Sequence, residues 1–283
     1  MPRDSPSFDL VVATVGRTDE LRSLLDSLEA QHYPQLRAIV VDQNEDERVP
    51  ALLADRQLEL VHLRSAPGLS RARNAGLQEV AADLVAFPDD DCTYPPGLLE
   101  RVAERFRAEP RLDGLTGRAE DERGRSSAAW ESDAALLTRD NLWNRANAAT
   151  TFLRRGLVEG VGKFDENLGL GSGKRSSSGE ETDYLVRAVS AGARIAYDPS
   201  LVVRHDVRED DSAVGLRDGK SLGYLLRKHG YPPRTVARML VRPAGGTLVA
   251  LARLDLPRAR YYAASLRGRV AGYAGARRSN SSA

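Results

Sequence analysis

Three aspartates stand in a row at Asp89-Asp90-Asp91, one residue past the apolar run 84–87. Adjacent carboxylates repel one another unless solvent or a cation offsets their charge. In extended chain, residues i and i+2 point the same way, so Asp89 and Asp91 can converge while Asp90 faces elsewhere. Oxygen ligands at a strand end suit Mg2+ or Mn2+, which share their remaining positions with substrate phosphates. His205 follows the apolar pair Val202-Val203 and is a candidate third ligand, although a lone histidine is more often structural. His32, His62 and His229 have no comparable context and read as structural. A second acidic cluster, Glu180-Glu181-Thr182-Asp183, opens a helical pattern after the Gly- and Ser-rich stretch 169–179. One or two acids there offset the helix dipole. A third points to a general base facing a substrate hydroxyl.

These groups need a scaffold that gathers them. Runs 8–15, 36–41, 58–63 and 84–87 read as strands, the first and last of them buried. Thr18 is expected to cap the first helix, with Asp19 and Glu20 in its first turn and Leu21, Leu24, Leu25 and Leu28 as its apolar stripe. Further helices are expected over 69–82 and 97–108, the latter opened by Pro95-Pro96. The alternation predicts an α/β fold with a doubly wound, mostly parallel sheet flanked by helices. Ligands of such sheets bind beyond the carboxyl ends of the strands. Thr14, Gly16, Arg17, Asp42, residues 64–68 and the aspartate triplet all fall there. Farther on, 117–129 reads as a mobile loop, 169–179 as flexible, 180–191 as a helix, and 194–197 and 201–203 as short strands.

The composition bounds the function classes. Of 283 residues, 41% are hydrophobic and 29% charged, and the mean hydropathy is −0.41. That suits a soluble chain with a substantial core and argues against wholesale disorder. No apolar run approaches the ~20 residues of a membrane-spanning helix, and the start of the chain lacks a secretory leader's apolar stretch. Cys92 is the only cysteine, which excludes an intramolecular disulfide and a cysteine-based zinc site and makes the cytoplasm the expected home. Residues 217–283 hold 14 Lys and Arg against two acids, whereas 1–216 hold 27 against 38. The expected organisation is a catalytic domain over 1–216, with halves near 8–92 and 93–216, and a basic helical extension over 217–283. Val236, Leu240, Leu248 and Leu251 interleave there with Arg234, Arg238, Arg242 and Arg253. An anionic membrane surface is one expected partner of this extension; packing on the body and a homo-oligomer interface are the alternatives. No nucleic-acid partner is expected, because no recognised binding module is present.

Three motifs together resemble the family 2 glycosyltransferases: Pro67-Gly68-Leu69-Ser70-Arg71-Ala72-Arg73-Asn74-Ala75-Gly76, Phe87-Pro88-Asp89-Asp90-Asp91, and Gly179-Glu180-Glu181-Thr182-Asp183-Tyr184. The resemblance covers roughly residues 8–210. It implies an inverting GT-A fold enzyme that moves a sugar from a nucleotide-diphosphate-sugar donor to a glycan or lipid-linked acceptor, in cell-surface polysaccharide or glycolipid assembly. It implies that Thr14, Gly16, Arg17 and Asp42 hold the base and ribose, with Arg73, Asp89 and Asp90 near the donor. Asp89 and Asp91 become the Asp-x-Asp metal motif, His205 a further ligand for Mn2+ or Mg2+, and Trp143, Asn144 and Asn147 line the acceptor side. Glu181 falls at the position of the catalytic base, usually Asp in the family, which leaves Glu181 and Asp183 both open with Glu181 favoured. Two rivals stand beside this reading. A sugar-phosphate nucleotidyltransferase needs a Gly-rich loop after the first strand, which residues 13–17 match poorly; a non-catalytic nucleotide-sugar-binding protein would not need the acidic set.

Overall fold

The computed structural model describes residues 5–126, 128–173, 177–207 and 211–276. The chain groups into two compact units, Met1–Phe164 with Tyr184–Val207 and Asp165–Asp183 with Arg208–Ala283.

In the first unit the described residues form nine strands: β1 (Phe8–Thr14), β2 (Leu36–Asp42), β3 (Glu59–Arg64), β4 (Leu84–Ala86), β5 (Cys92–Thr93), β6 (Gly114–Glu120), β7 (Ala135–Leu136), β8 (Thr151–Arg154) and β9 (Ile195–His205). They join one sheet in the order β3-β2-β1-β4-β8-β6-β9-β5, with β7 on β9. The first four strands pair in parallel. Beyond β4 the sheet is mixed: β8 runs antiparallel to both β4 and β6, and β5 and β7 run antiparallel to β9. Helices α1 (Asp19–Glu29), α2 (Arg48–Leu53), α3 (Leu69–Gly76), α4 (Leu98–Ala108) and α5 (Arg155–Val161) accompany it. Leu21, Leu24, Leu25 and Leu28 of α1 are buried with Phe8, Leu10 and Val12 of β1 in the core. That is the i, i+3, i+4, i+7 stripe read from the sequence. Thr18 does precede α1, but its side chain makes no capping hydrogen bond.

Three local expectations change, each for a visible reason. The helix expected over 69–82 stops at Gly76. Just beyond, the buried Asp9 carboxylate accepts the backbone N–H groups of Ala81 and Ala82 at 2.7 and 2.9 Å, which holds those amides out of a helical ladder. The expected loop from 117 onward begins instead as strand, because β6 runs through Glu120. Its register on β9 shifts between Thr116 and Arg118. A Cβ at Gly117 would lie 2.1 Å from the Leu201 carbonyl oxygen, so this bulge admits only glycine. The two short strands expected over 194–203 are accordingly one irregular strand, β9.

The second unit contains the first turn of α6 (Glu180–Ser190), then α7 (Ser212–Lys228), α8 (Pro233–Ala252) and α9 (Leu256–Gly275). Gly215, Gly219 and Gly223 repeat every four residues along α7 and meet α9 backbone to backbone. A Cβ at Gly219 would lie 2.3 Å from the Ser265 carbonyl, and one at Gly272 would lie 1.9 Å from that of Lys220. Small residues at this spacing let two helix axes approach closely. Of the stretch 169–179 read as flexible, residues 174–176 lie outside the described residues. No helix among the described residues is long and apolar enough to cross a membrane.

Candidate active site

The parallel half of the sheet delivers its strand ends to one place. Ala13 forms a parallel bridge with Asp89, so β1 continues alongside the aspartate triplet. Next to it, Thr14 Oγ1 donates to Asp90 Oδ2 at 2.8 Å. Asp90 is buried, and desolvation pushes its carboxyl above the ordinary range while hydrogen bonds from Thr14 and Arg17 pull it partly back. Arg17 Nη1 bridges Asp90 Oδ1 at 2.8 Å and Asp91 Oδ2 at 2.6 Å. Burial works against the Arg17 cation, and its bonds to these carboxylates more than offset that, raising its pKa. Asp90 therefore faces Thr14 and shares Arg17 with Asp91.

Strand pairing brings His205 in. Residue Cys92 of β5 lies opposite His205 of β9, which puts the imidazole Nε2 3.2 Å from Asp91 Oδ1. Its Nδ1 lies 2.9 Å from the Asp206 carbonyl oxygen. A carbonyl only accepts, so Nδ1 carries the hydrogen and Nε2 is the atom turned toward the aspartates. The bond to Asp91 raises the His205 pKa against the opposing effect of burial. Ligand atoms of Asp89, Asp91 and His205 all lie within 4.8 Å of one another. Two carboxylates and an imidazole whose other nitrogen is fixed by a carbonyl form a donor set that fits a divalent cation. From the other side, Arg73 is buried, with Nη2 3.1 Å from Asp89 Oδ1 and its guanidinium 5.6 Å from the Phe164 ring centroid.

A second constellation surrounds Asp42. Its buried carboxylate accepts the backbone and side-chain N–H of Asn44, both at 2.8 Å, and lies 3.2 Å from His62 Nε2 and 3.5 Å from Arg64 Nη1. Asn44 Oδ1 in turn accepts the Gly16 N–H at 2.8 Å, tying the ends of β1 and β2 together. His62 joins this group through its contact with Asp42. The usable signal was the two-residue spacing of His62 and Arg64, which places both on one side of β3.

Part of the motif 67–76 is architectural. Asn74 makes a two-way clamp on the Phe164 backbone, donating to its carbonyl at 3.0 Å and accepting its N–H at 2.8 Å. Phe164 stacks on Tyr184 at 4.3 Å and meets Phe87 edge-on at 5.2 Å, so an aromatic cluster fixes the residue just before Pro88-Asp89. On the expected acceptor side, Asn147 Oδ1 accepts the Thr150 N–H and caps a single turn over Ala148–Thr150. Trp143 and Asn144 lie in another single turn, Leu142–Asn144.

Glu180, Glu181 and Asp183 belong to the second unit. Glu180 is buried and Glu181 half-buried. Asp183 is fully buried, with Lys228 Nζ at 2.6 Å and His229 Nε2 at 2.8 Å; Lys228 also reaches Asp165 at 2.7 Å. Neither Lys228 nor His229 carried a sequence signal, because no local spacing links them to residue 183.

A family model described as glycosyl transferase family 2 matches residues 9–159. The chain belongs to this family. As a family 2 member it is 29% identical over 275 residues to the pre-mycofactocin glycosyltransferase of Mycobacterium tuberculosis, a match covering 88% of this chain and 53% of that protein. The chain thus spans about half the length of that relative. The succinoglycan biosynthesis protein ExoM of Rhizobium meliloti is 28% identical, over 87% of this chain and 79% of that one. Among solved structures, the mannosyltransferase PcManGT from Pyrobaculum calidifontis, in complex with GDP-Man and Mn2+, superposes with a TM-score of 0.67 at 19% identity. It covers 96% of this chain and 88% of that one, and the α/β architecture of this family 2 chain is that of the GT-A enzymes.

Proposed function

We propose that this chain is an inverting glycosyltransferase that moves a sugar from a nucleotide-diphosphate-sugar to an acceptor hydroxyl in the assembly of a glycan or glycolipid. The convergence of Asp89, Asp91 and His205 at the carboxyl ends of the strands carries this reading. A divalent cation held by these three, Mn2+ or Mg2+, would supply positive charge to the diphosphate leaving group. Asp42, Gly16 and Thr14 lie at the strand ends where a base and ribose would bind, and Arg17 and Arg73 add cationic groups that can pair with phosphate. Glu181 removes the proton of the attacking hydroxyl, which then displaces the nucleotide from the opposite face of the anomeric carbon. Two observations favour Glu181 over Asp183 as base. Asp183 is fully buried, and Lys228 and His229 both bind its carboxylate. Trp143 and Asn147 remain the candidates for acceptor contact. The names of the relatives support polysaccharide assembly and make GDP-mannose the first donor to try. The enzyme would work in the cytoplasm.

The test is transfer from a panel of nucleotide sugars in the presence of Mn2+, comparing wild type with Glu181→Gln and Asp91→Ala. Both variants should lose transfer. Full activity of either removes the role given to that residue.

A further inference from the structure

The turn between α8 and α9 places leucine where local physics favours glycine. Leu254 holds a φ of +58°, a left-handed conformation that a residue with a Cβ adopts at a cost and glycine adopts freely. Its side chain is 85% exposed, so packing within the chain returns little for that cost. The residues around it are also apolar and exposed: Leu248, Val249, Leu251 and Leu256. Along α8, Val241, Gly245, Leu248 and Ala252 continue an exposed stripe at helical spacing, while Val236, Met239, Pro243 and Ala250 supply a separate buried face. This helix pair therefore has one more apolar face than its own packing uses.

The charge around this face favours one kind of occupant. Arg234, Arg238, Arg242, Arg253, Arg258 and Arg260 are all exposed on α8, the turn and α9. Between residues 219 and 276 the only acid is Asp255, whose carboxylate accepts the Arg258 N–H to cap α9. Two copies of so basic a surface repel one another. An apolar apex set among arginines is instead complementary to a bilayer with anionic headgroups, where leucines enter the acyl boundary and guanidinium groups meet phosphate. The pair could not cross such a bilayer, since neither helix is long and apolar enough.

We propose that the α8–α9 apex docks this protein on an anionic membrane surface, with Leu248, Leu251, Leu254 and Leu256 inserted and Arg253 and Arg258 in contact with headgroup phosphates. This docking is independent of sugar transfer, so its test needs no substrate.

The experiment is flotation of the full chain with phosphatidylcholine vesicles and with vesicles that also contain phosphatidylglycerol. Wild type should float with the anionic vesicles only, and less so as salt is raised. Leu254→Gly relieves the left-handed leucine, so its thermal midpoint should equal or exceed that of wild type while partitioning falls at least about fivefold. Arg253→Gln with Arg258→Gln should also weaken flotation and reduce its salt dependence. The proposal fails if wild type stays off the anionic vesicles, or if these variants float as wild type does. It also fails if the leucine variant instead turns a dimer into a monomer in light scattering with flotation unchanged, which would make a second copy the occupant.

Discussion

At the scale of single residues, the acidic cluster at the start of α6 divides into two kinds of carboxylate. Asp183 is a buried carboxylate held by Lys228 and His229, and removing it takes away a partner of the partly buried Lys228 ammonium. Asp183→Asn should therefore lower unfolding free energy by on the order of 2–3 kcal/mol, measured by denaturant titration. Glu181→Gln should leave that stability intact. It should reduce kcat by about 10²–10⁴-fold with little change in the donor KM, as expected for loss of a general base. Loss of stability in the Glu181 variant with kcat preserved would reverse the two assignments. The sequence made both residues visible as candidates but not their difference. That difference comes from α7, more than forty positions away, and no local pattern encodes it.

At the scale of elements, glycines mark where two pieces of backbone must touch. Gly76 ends α3 against β1, and a Cβ there would come within 2.4 Å of Val11 Cγ1 and 3.2 Å of Val41 Cγ2. Gly76→Ala should cost about 1–3 kcal/mol through overpacking, read as a lowered midpoint in urea. A midpoint equal to wild type would mean that α3 moves off the sheet at no cost. The parallel strands β1, β2 and β4 were legible from their apolar runs, and helices α1 and α4 from their apolar stripes at helical spacing. The 117–129 stretch was not legible as strand. Its polar and small residues resemble a loop, and only the long-range partner β9 makes residues 117–120 a strand. The extent of α3 was hidden likewise, because Asp9, a single buried acid within β1, redirects amides more than seventy positions away.

At the scale of the whole molecule, buried ion pairs set how the protein responds to acid. Asp9 suffers desolvation, but the Arg37 guanidinium at 2.7 and 2.8 Å and two backbone amides hold its pKa below the usual carboxylate value. Asp165 in the second unit is likewise lowered: burial raises its pKa, and Lys228 together with the hydrogen bonds from Asn167 outweighs that. A lowered folded pKa contributes stability that is present above the unfolded value of 3.8 and is lost as pH falls through the folded one. Thermal midpoints should therefore fall in solution more acid than about pH 5. For Asp9→Asn the acid-side loss should be smaller; an unchanged acid profile would show that Asp9 does not contribute to it. The split of charge along the chain was fully legible in the sequence, whereas the packing of segment 165–183 with the C-terminal helices was not. That packing rests on Lys228 and on the Gly179–Leu225 contact, at 3.0 Å from an added Cβ, which composition does not reveal.

The proposed cation site is tested most directly by calorimetric titration of nucleoside diphosphates, UDP and GDP among them, into the full chain with Mn2+ or with EDTA. Wild type should bind one of them in Mn2+, and at least about tenfold more weakly in EDTA or when Asp91 is replaced by alanine. Equal affinity in Mn2+ and EDTA, or an Asp91→Ala variant that binds as wild type does, would contradict a cation held by Asp89, Asp91 and His205.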